Sequence, residues 1–230
     1  MKVDILTLFP QFFDGFFEYS IIKRARDCGI VQINLHDIRD YAEDRHQQAD
    51  DYRFGGGPGM LLKPEPIFKT FDRIVTGIKP RPLVIFPTHQ GEVFNQSIAD
   101  EIAKEQHLVF LCGHYKGLDQ RIIERWVDRE YSLGDYVLTG GEIAAVAMID
   151  AAVRMIPGTI GDLGSALGDS FRNSLLDCPH YTRPENLAGS KVPGVLLSGH
   201  HKNIEIWRNA AAEFLTAQRR PDLVKKNSQD

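Results

Sequence analysis

Between Leu83 and Ile156 the chain repeats one period: an apolar strand, a loop, then a helix. The spacing predicts strand Leu83–Phe86, helix Gln96–Lys104, strand Leu108–Cys112, helix Asp119–Val127, a short strand near Tyr131, and a helix over Glu142–Ile156. Upstream, the pattern adds strands Val3–Phe9 and Val31–Ile38 and helices Ser20–Asp27 and Pro64–Ile74. Strands alternating with helices imply an α/β fold, a mostly parallel sheet covered on both faces. In such sheets ligands bind beyond the carboxyl ends of the strands. The loops that begin at Pro87, Gly113 and Gly134 all reach that edge. Two of them, within LCGHYKGLDQR and SLGDYVLTGGE, are rich in glycine, which lets a ligand approach the main chain closely. Glycine turns also simply connect elements, but three loops at one edge favour a site for a small molecule.

Composition narrows the class. The chain has 230 residues, 43% hydrophobic and 25% charged, enough for one large domain or a larger and a smaller one. A net charge of −4 argues against a strongly basic nucleic-acid protein, although a local basic patch can still meet RNA. The three cysteines, Cys28, Cys112 and Cys178, form no CxxC pair, so neither a disulfide framework nor a zinc site is implied. The start MKVDILTLFPQFF has no long apolar run or cleavage site, and no segment approaches membrane-spanning length, so a cytoplasmic location is expected. No GxGxxG opens a βαβ unit, and GxxxxGK[ST], GxSxG and HExxH are absent.

Several segments stand apart. The helix EIAAVAMIDAAVRMI is apolar nearly all round, so burial in the domain or against another subunit is expected. Asp150 and Arg154 are its charges after the first turn; they could pair across one helical turn, or Arg154 could stabilise developing negative charge. The run Arg39–Met60 reads as a long loop ending in GGGPGM, which could be a flexible insertion or a backbone surface for a large ligand. Asp50, Asp51, Tyr52 and Phe54 precede it. Pro157–Phe171 reads as a flexible linker. Within it Asp169 could cap a helix starting after Ser170 or act as a general base. Leu175–Gly189 carries His180, Tyr181 and Arg183, which could stack on an unpaired base or brace a domain boundary. An amphipathic helix is expected over His200–Gln218, with Ile204, Trp207, Ala211, Phe214 and Leu215 on one side, and a shorter one over Arg220–Lys226. Lys202, Arg208, Arg219, Arg220, Lys225 and Lys226 make this the more basic end, as a solvated face or as phosphate contacts.

GGGPGM, GHYKGLDQR, SLGDYVLTGGE, DSF, LLDCPHYTRPE, VLLSGHH and RRPDL occur in one order from about Met1 to about Val224. In this the chain resembles the bacterial tRNA (guanine(37)-N1)-methyltransferases of the SPOUT superfamily. The resemblance implies a SPOUT fold with a deep C-terminal trefoil knot, which periodicity does not show. It implies a knotted cofactor-binding domain over 1–157, a linker over 158–171 and a small helical tRNA-binding domain over 172–230. It also implies an obligate homodimer with the active site at the subunit interface. S-adenosylmethionine would be held by Phe86–Gln90, Leu111–Gly117 and Ser132–Gly141. The residues implied are Phe86, Pro87, Thr88, Gly113, Tyr115, Gly117, Ser132, Leu133, Gly134, Asp135, Tyr136, Val137, Leu138, Gly140 and Gly141. The substrate would be the anticodon stem-loop of tRNA, met by Asp50, Gly55, Gly59, Ser165, Ser170 and Ser198 and methylated at N1 of guanosine-37. By the same resemblance Asp169 takes the N1 proton and Arg154 stabilises charge on O6.

One loop departs from the family pattern, which has Arg, Glu and Glu where this chain has His114, Lys116 and Gln120. Lys116 reverses a charge, so an acidic role there is not carried over. No protein metal ligand is expected, and magnesium stands only as a possible cofactor of the family reaction. Two other readings compete: a SPOUT enzyme acting on ribosomal RNA or a 2′-hydroxyl, and a non-catalytic RNA-binding protein on the same scaffold.

Overall fold

The first strand, β1 (Lys2–Thr7), is a short run in which every residue after Lys2 is buried, the pattern of a strand covered on both faces. In the computed structural model, which describes residues 1–161, 169–171 and 173–226, it lies inside a five-stranded sheet. The other strands are β2 (Gln32–Asp37), β5 (Leu83–Val93), β6 (His107–Leu111) and β7 (Arg129–Ser132). Their order is β2-β1-β6-β5-β7 and every pairing is parallel. The expected mostly parallel α/β sheet is therefore present.

Alternation along the strands splits the core in two. Val3 and Ile5 of β1 and Leu108 and Phe110 of β6 pack with α1 (Ser20–Asp27), α3 (Gln96–Ile102) and α5 (Glu142–Val153). Leu6 of β1 and Val109 and Leu111 of β6 pack with α2 (Pro64–Ile74) and α4 (Gln120–Trp126). Phe71 of α2 stacks on Trp126 of α4 with centroids 5.0 Å apart. Side chains of this size each contribute about 1.5–3 kcal/mol on full burial.

The long polar run after Ile38 is not wholly a loop. It holds a short 3-10 turn over Ile38–Tyr41 and an antiparallel hairpin of β3 (Asp50–Tyr52) with β4 (Met60–Leu62), whose tip is the glycine segment. Strands this short carry no readable alternation. The helix expected to Ile156 ends at Val153, with Arg154 as its C-cap. It is not buried all round, either. Ala145, Met148, Ile149, Ala152 and Val153 face the core, while Ile143, Ala147 and Asp150 form an exposed stripe.

Chain contacts divide the molecule into Met1–Leu163 and Gly164–Asp230. The second unit contains a hairpin of β8 (Asn186–Leu187) with β9 (Ser190–Lys191) and helices α6 (Gly194–Leu197), α7 (His201–Arg219) and α8 (Pro221–Lys226). On α7, Ile204, Trp207, Ala211 and Leu215 are half-buried, as the apolar spacing requires. Phe214 departs from that face and is 70% exposed. Thr216 is fully buried instead, its hydroxyl donating to Ala212 O and accepting from Leu176 N.

Candidate active site

At the carboxyl edge of the sheet three adjacent chain segments converge. β5 does not stop at Phe86 but continues to Val93, with an excursion. Pro87 and Glu92 both oppose Tyr131 of β7, so residues 88–91 bulge out of the ladder. Gly91 makes the return possible. A Cβ there would lie 2.5 Å from the backbone nitrogen of Tyr131. The second segment leaves β6 at Gly113, where a Cβ would stand 2.9 Å from the Phe86 ring. The third follows β7 and closes against the second: Gly141 N donates to Gly113 O at 2.9 Å, and His114 bridges Gly140. A Cβ at Gly141 would stand 3.1 Å from Cys112 Cα and Gly113 N. Glycine is thus needed where strand ends and loops approach main chain to main chain.

These segments enclose a cavity of about 370 Å³. Of the expected cofactor residues, Phe86, Pro87, Thr88, Gly113, Tyr115, Gly117, Ser132, Leu133, Gly134, Tyr136, Val137, Leu138, Gly140 and Gly141 line it. Asp135 does not. Within the same three stretches His89, Gln90, His114, Lys116 and Thr139 also line it, and Tyr131 and Ala144 do so from outside them. Tyr131 and Ala144 belong to a strand and a helix that the loop composition could not flag.

The lining fits an adenosyl ligand in its chemistry. Its walls combine main chain and glycine with aromatic rings and polar side chains such as Thr88, Gln90, Ser132 and Thr139, groups that suit a ring, a ribose and a polar arm. It does not fit magnesium, because no Asp or Glu is among the described residues lining it and Mg²⁺ calls for hard oxygen ligands.

The floor beneath is polar and paired. Thr7, at the end of β1, donates its hydroxyl to Glu142 Oε1 at 2.7 Å and accepts from Phe9 N at 2.9 Å. Cys112 is fully buried beside them. Burial, and then the nearby Glu142, push its thiol well above the usual value, so it packs rather than reacts. At the other end of β1, buried Asp4 meets Lys2, Asn34, His36 and His107 at 2.6–2.9 Å. Burial alone would raise its pKa, but these hydrogen bonds together hold it well below the carboxylate range.

The expected catalytic and substrate residues lie as follows. Arg154 is half-buried at the end of α5, and its backbone N–H donates to Asp150 O at 3.2 Å. Asp150 is exposed. Asp169 lies half-buried at a bend of the second unit. Among the described residues no helix starts between Ser170 and Gly194, so Asp169 has no helix there to cap. Asp50 opens β3, while Gly55 and Gly59, at φ 82° and 91°, lie on the exposed hairpin tip. Ser170 Oγ accepts from Asp177 N, and Ser198 Oγ donates to Val195 O. Ser165 lies outside the described residues.

The sequence profile described as tRNA (Guanine-1)-methyltransferase TrmD matches residues 1–226. The chain belongs to this family. Full-length relatives agree. A protein of Carboxydothermus hydrogenoformans named tRNA (guanine-N(1)-)-methyltransferase is 51% identical over 98% of this chain and 88% of its own length. Proteins of the same name from Anoxybacillus flavithermus and Staphylococcus carnosus are each 50% identical over 98% of this chain, covering 92% and 91% of theirs.

In this TrmD-family chain the second unit has a cavity of its own, about 490 Å³, lined by His180, Tyr181, Arg183, Trp207 and Arg208 among others. Tyr181 and Trp207 stand 6.3 Å apart across it. Asp177, Cys178 and His180 bring their potential ligand atoms within 4.8 Å of one another, a grouping the spacing of the cysteines does not reveal. The carboxylate is already engaged by His180 at 2.7 Å and by Cys178 N. Arg220, expected to add to the basic end, is bound in a fork by Asp222, so less of its charge is available to a phosphate. Among the described residues no helix is long and apolar enough to cross a membrane.

Proposed function

We propose that this chain transfers a methyl group from S-adenosylmethionine to N1 of guanosine-37, 3′ of the anticodon, in tRNA. The observation that carries the reading is the glycine-walled cavity at the carboxyl edge of the sheet, in a chain matched almost end to end by a tRNA (guanine-1)-methyltransferase family. Such a reaction on tRNA places the protein in the cytoplasm.

The cofactor site is the cavity, with the residues around Phe86–Gln90, Leu111–Gly117 and Ser132–Gly141 drawn into a trefoil knot. S-adenosylmethionine supplies an electrophilic methyl on its sulfonium. The chain must do the rest. Guanine N1 carries a proton at neutral pH, and the carboxylate of Asp169 takes that proton as general base. The electron density left on the ring gathers at O6, where the guanidinium of Arg154 stabilises it. The base leaves the anticodon stack to reach the site.

Two copies complete the site. The exposed stripe of α5 formed by Ile143, Ala147 and Asp150, on a helix otherwise in the core, supports a subunit contact there. Lys202 and Arg208 of the second unit meet tRNA phosphates, and the anticodon stem-loop rests on the 50–60 hairpin, whose Tyr52 and Phe54 are exposed.

The reading is tested with labelled donor and two tRNA transcripts that differ only at position 37. Label entering the guanosine transcript alone is the expected result. Equal label in both transcripts, or label in neither, would overturn it.

A further inference from the structure

Among the described residues that line the sheet-edge cavity, Lys116 alone carries a permanent charge. Its backbone is fixed on both sides. Lys116 N donates to Met60 O at 3.1 Å, and Gly117 O accepts from Leu62 N at 3.1 Å. The preceding Tyr115 holds a left-handed φ of 60°, a conformation that aims the loop and is sparsely populated without glycine. The side-chain stem of this exposed residue lies against Gly59 at the hairpin tip. A Cβ on Gly59 would stand 2.5 Å from Lys116 Cγ. Lys116 meets no carboxylate among the described residues, so its charge is open to a ligand in the cavity it lines.

A positioned cation with no counter-ion, on a wall otherwise free of permanent charge, selects for a ligand anion. An S-adenosyl amino acid offers one, its α-carboxylate, beside two cationic centres, the sulfonium and the α-ammonium. The lysine repels both cations and attracts the carboxylate, so its field allows one orientation of the amino-acid arm. We infer that Lys116 is the anchor for the donor's α-carboxylate and fixes which way the methionine arm turns inside the cavity. This rests on the cofactor reading above and deepens it. Gly59 then has a further part, since any larger residue there displaces the stem that carries the charge.

The test compares two nucleosides by calorimetry on the full chain. S-adenosylhomocysteine keeps the carboxylate, and 5′-methylthioadenosine lacks the whole amino-acid arm. Lys116→Met retains the stem against Gly59 and removes the charge. It is expected to weaken S-adenosylhomocysteine by about tenfold, the scale of one charged hydrogen bond at an exposed site, and to leave methylthioadenosine unchanged. Lys116→Arg is expected to keep most of the affinity, and Lys116→Glu to lose more than the methionine variant. Added salt should narrow the gap between wild type and Lys116→Met. Unchanged binding of S-adenosylhomocysteine in Lys116→Met, or equal weakening of both nucleosides, overturns the anchor while leaving the cofactor reading intact. Failure of the wild-type chain to bind either nucleoside overturns that reading and the anchor with it.

Discussion

Thr7 and Glu142 are joined by a buried 2.7 Å hydrogen bond although 135 residues separate them in the chain. The bond ties the end of the central strand to the first turn of α5, next in sequence to Gly141, whose N–H donates to Gly113 O. It makes the cavity floor a property of the whole first unit rather than of its loops. Thr7→Val leaves the buried carboxylate without its donor and also removes the acceptor for Phe9 N. A loss of about 1–3 kcal/mol in unfolding free energy is expected, read from the urea midpoint. S-adenosylhomocysteine affinity should fall with it. Unaltered stability and affinity would show that the floor does not depend on this bond.

Gly91 and Gly113 are expected to differ in their tolerance of alanine. At Gly91 the new methyl meets the backbone of Glu130 and Tyr131, which are held in β7 and cannot yield. At Gly113 it meets the edge of the Phe86 ring, a side chain that can turn. Gly91→Ala should therefore cost about 1–3 kcal/mol or more, and Gly113→Ala less, with its main effect on ligand affinity through Phe86. Thermal unfolding of both variants, beside nucleoside binding, separates the two effects. Equal destabilisation would contradict the distinction.

Asp4 gives the fold a marked acid limb. Its folded-state pKa is depressed below the unfolded value of about 3.9, so its stabilisation is fully present above that pH and is lost as the pH falls towards the folded value. Asp4→Asn is expected to lose about 1–3 kcal/mol at pH 7 and to show a flatter decline of stability below pH ~4. Denaturant titrations between pH 3 and pH 7, run at about unit intervals, check this. A parallel decline in both proteins would place the acid sensitivity elsewhere.

The stripe of Ile143, Ala147 and Asp150 is the proposed subunit contact. Ile143, 48% exposed in the single chain, stands at its start. Ile143→Glu should convert a dimer to monomers in sedimentation equilibrium, because a carboxylate buried against a second copy lacks a partner. A dimer that persists in Ile143→Glu would exclude this face.

Much of this fold was legible because parallel strands are short apolar runs and helices carry caps and period. Helix α1 matches its expected bounds, Ser20–Asp27, and α2 matches Pro64–Ile74. The 50–62 hairpin was not legible, since three-residue strands with exposed tips have no alternation to read. Nor was the excursion inside β5, which depends on Gly91 meeting Glu130 and Tyr131 across the sheet. The cavity loops were visible as glycine clusters, whereas Tyr131 and Ala144, supplied by a strand and a helix, were not. Phe214 was expected on the inward face of α7 and lies outside, because helical period ranks faces without fixing how wide the covered stripe is.

The most direct measurement is the identity of the methylated nucleoside. Purified chain is incubated with S-adenosylmethionine and a tRNA transcript bearing guanosine-37, the RNA is digested, and the nucleosides are resolved by chromatography and mass spectrometry. The expected result is 1-methylguanosine with the wild-type chain and almost none with Asp169→Ala, in a variant that still binds S-adenosylhomocysteine. A 2′-O-methyl nucleoside, methylation elsewhere on the base, or undiminished 1-methylguanosine from Asp169→Ala would contradict the proposed chemistry.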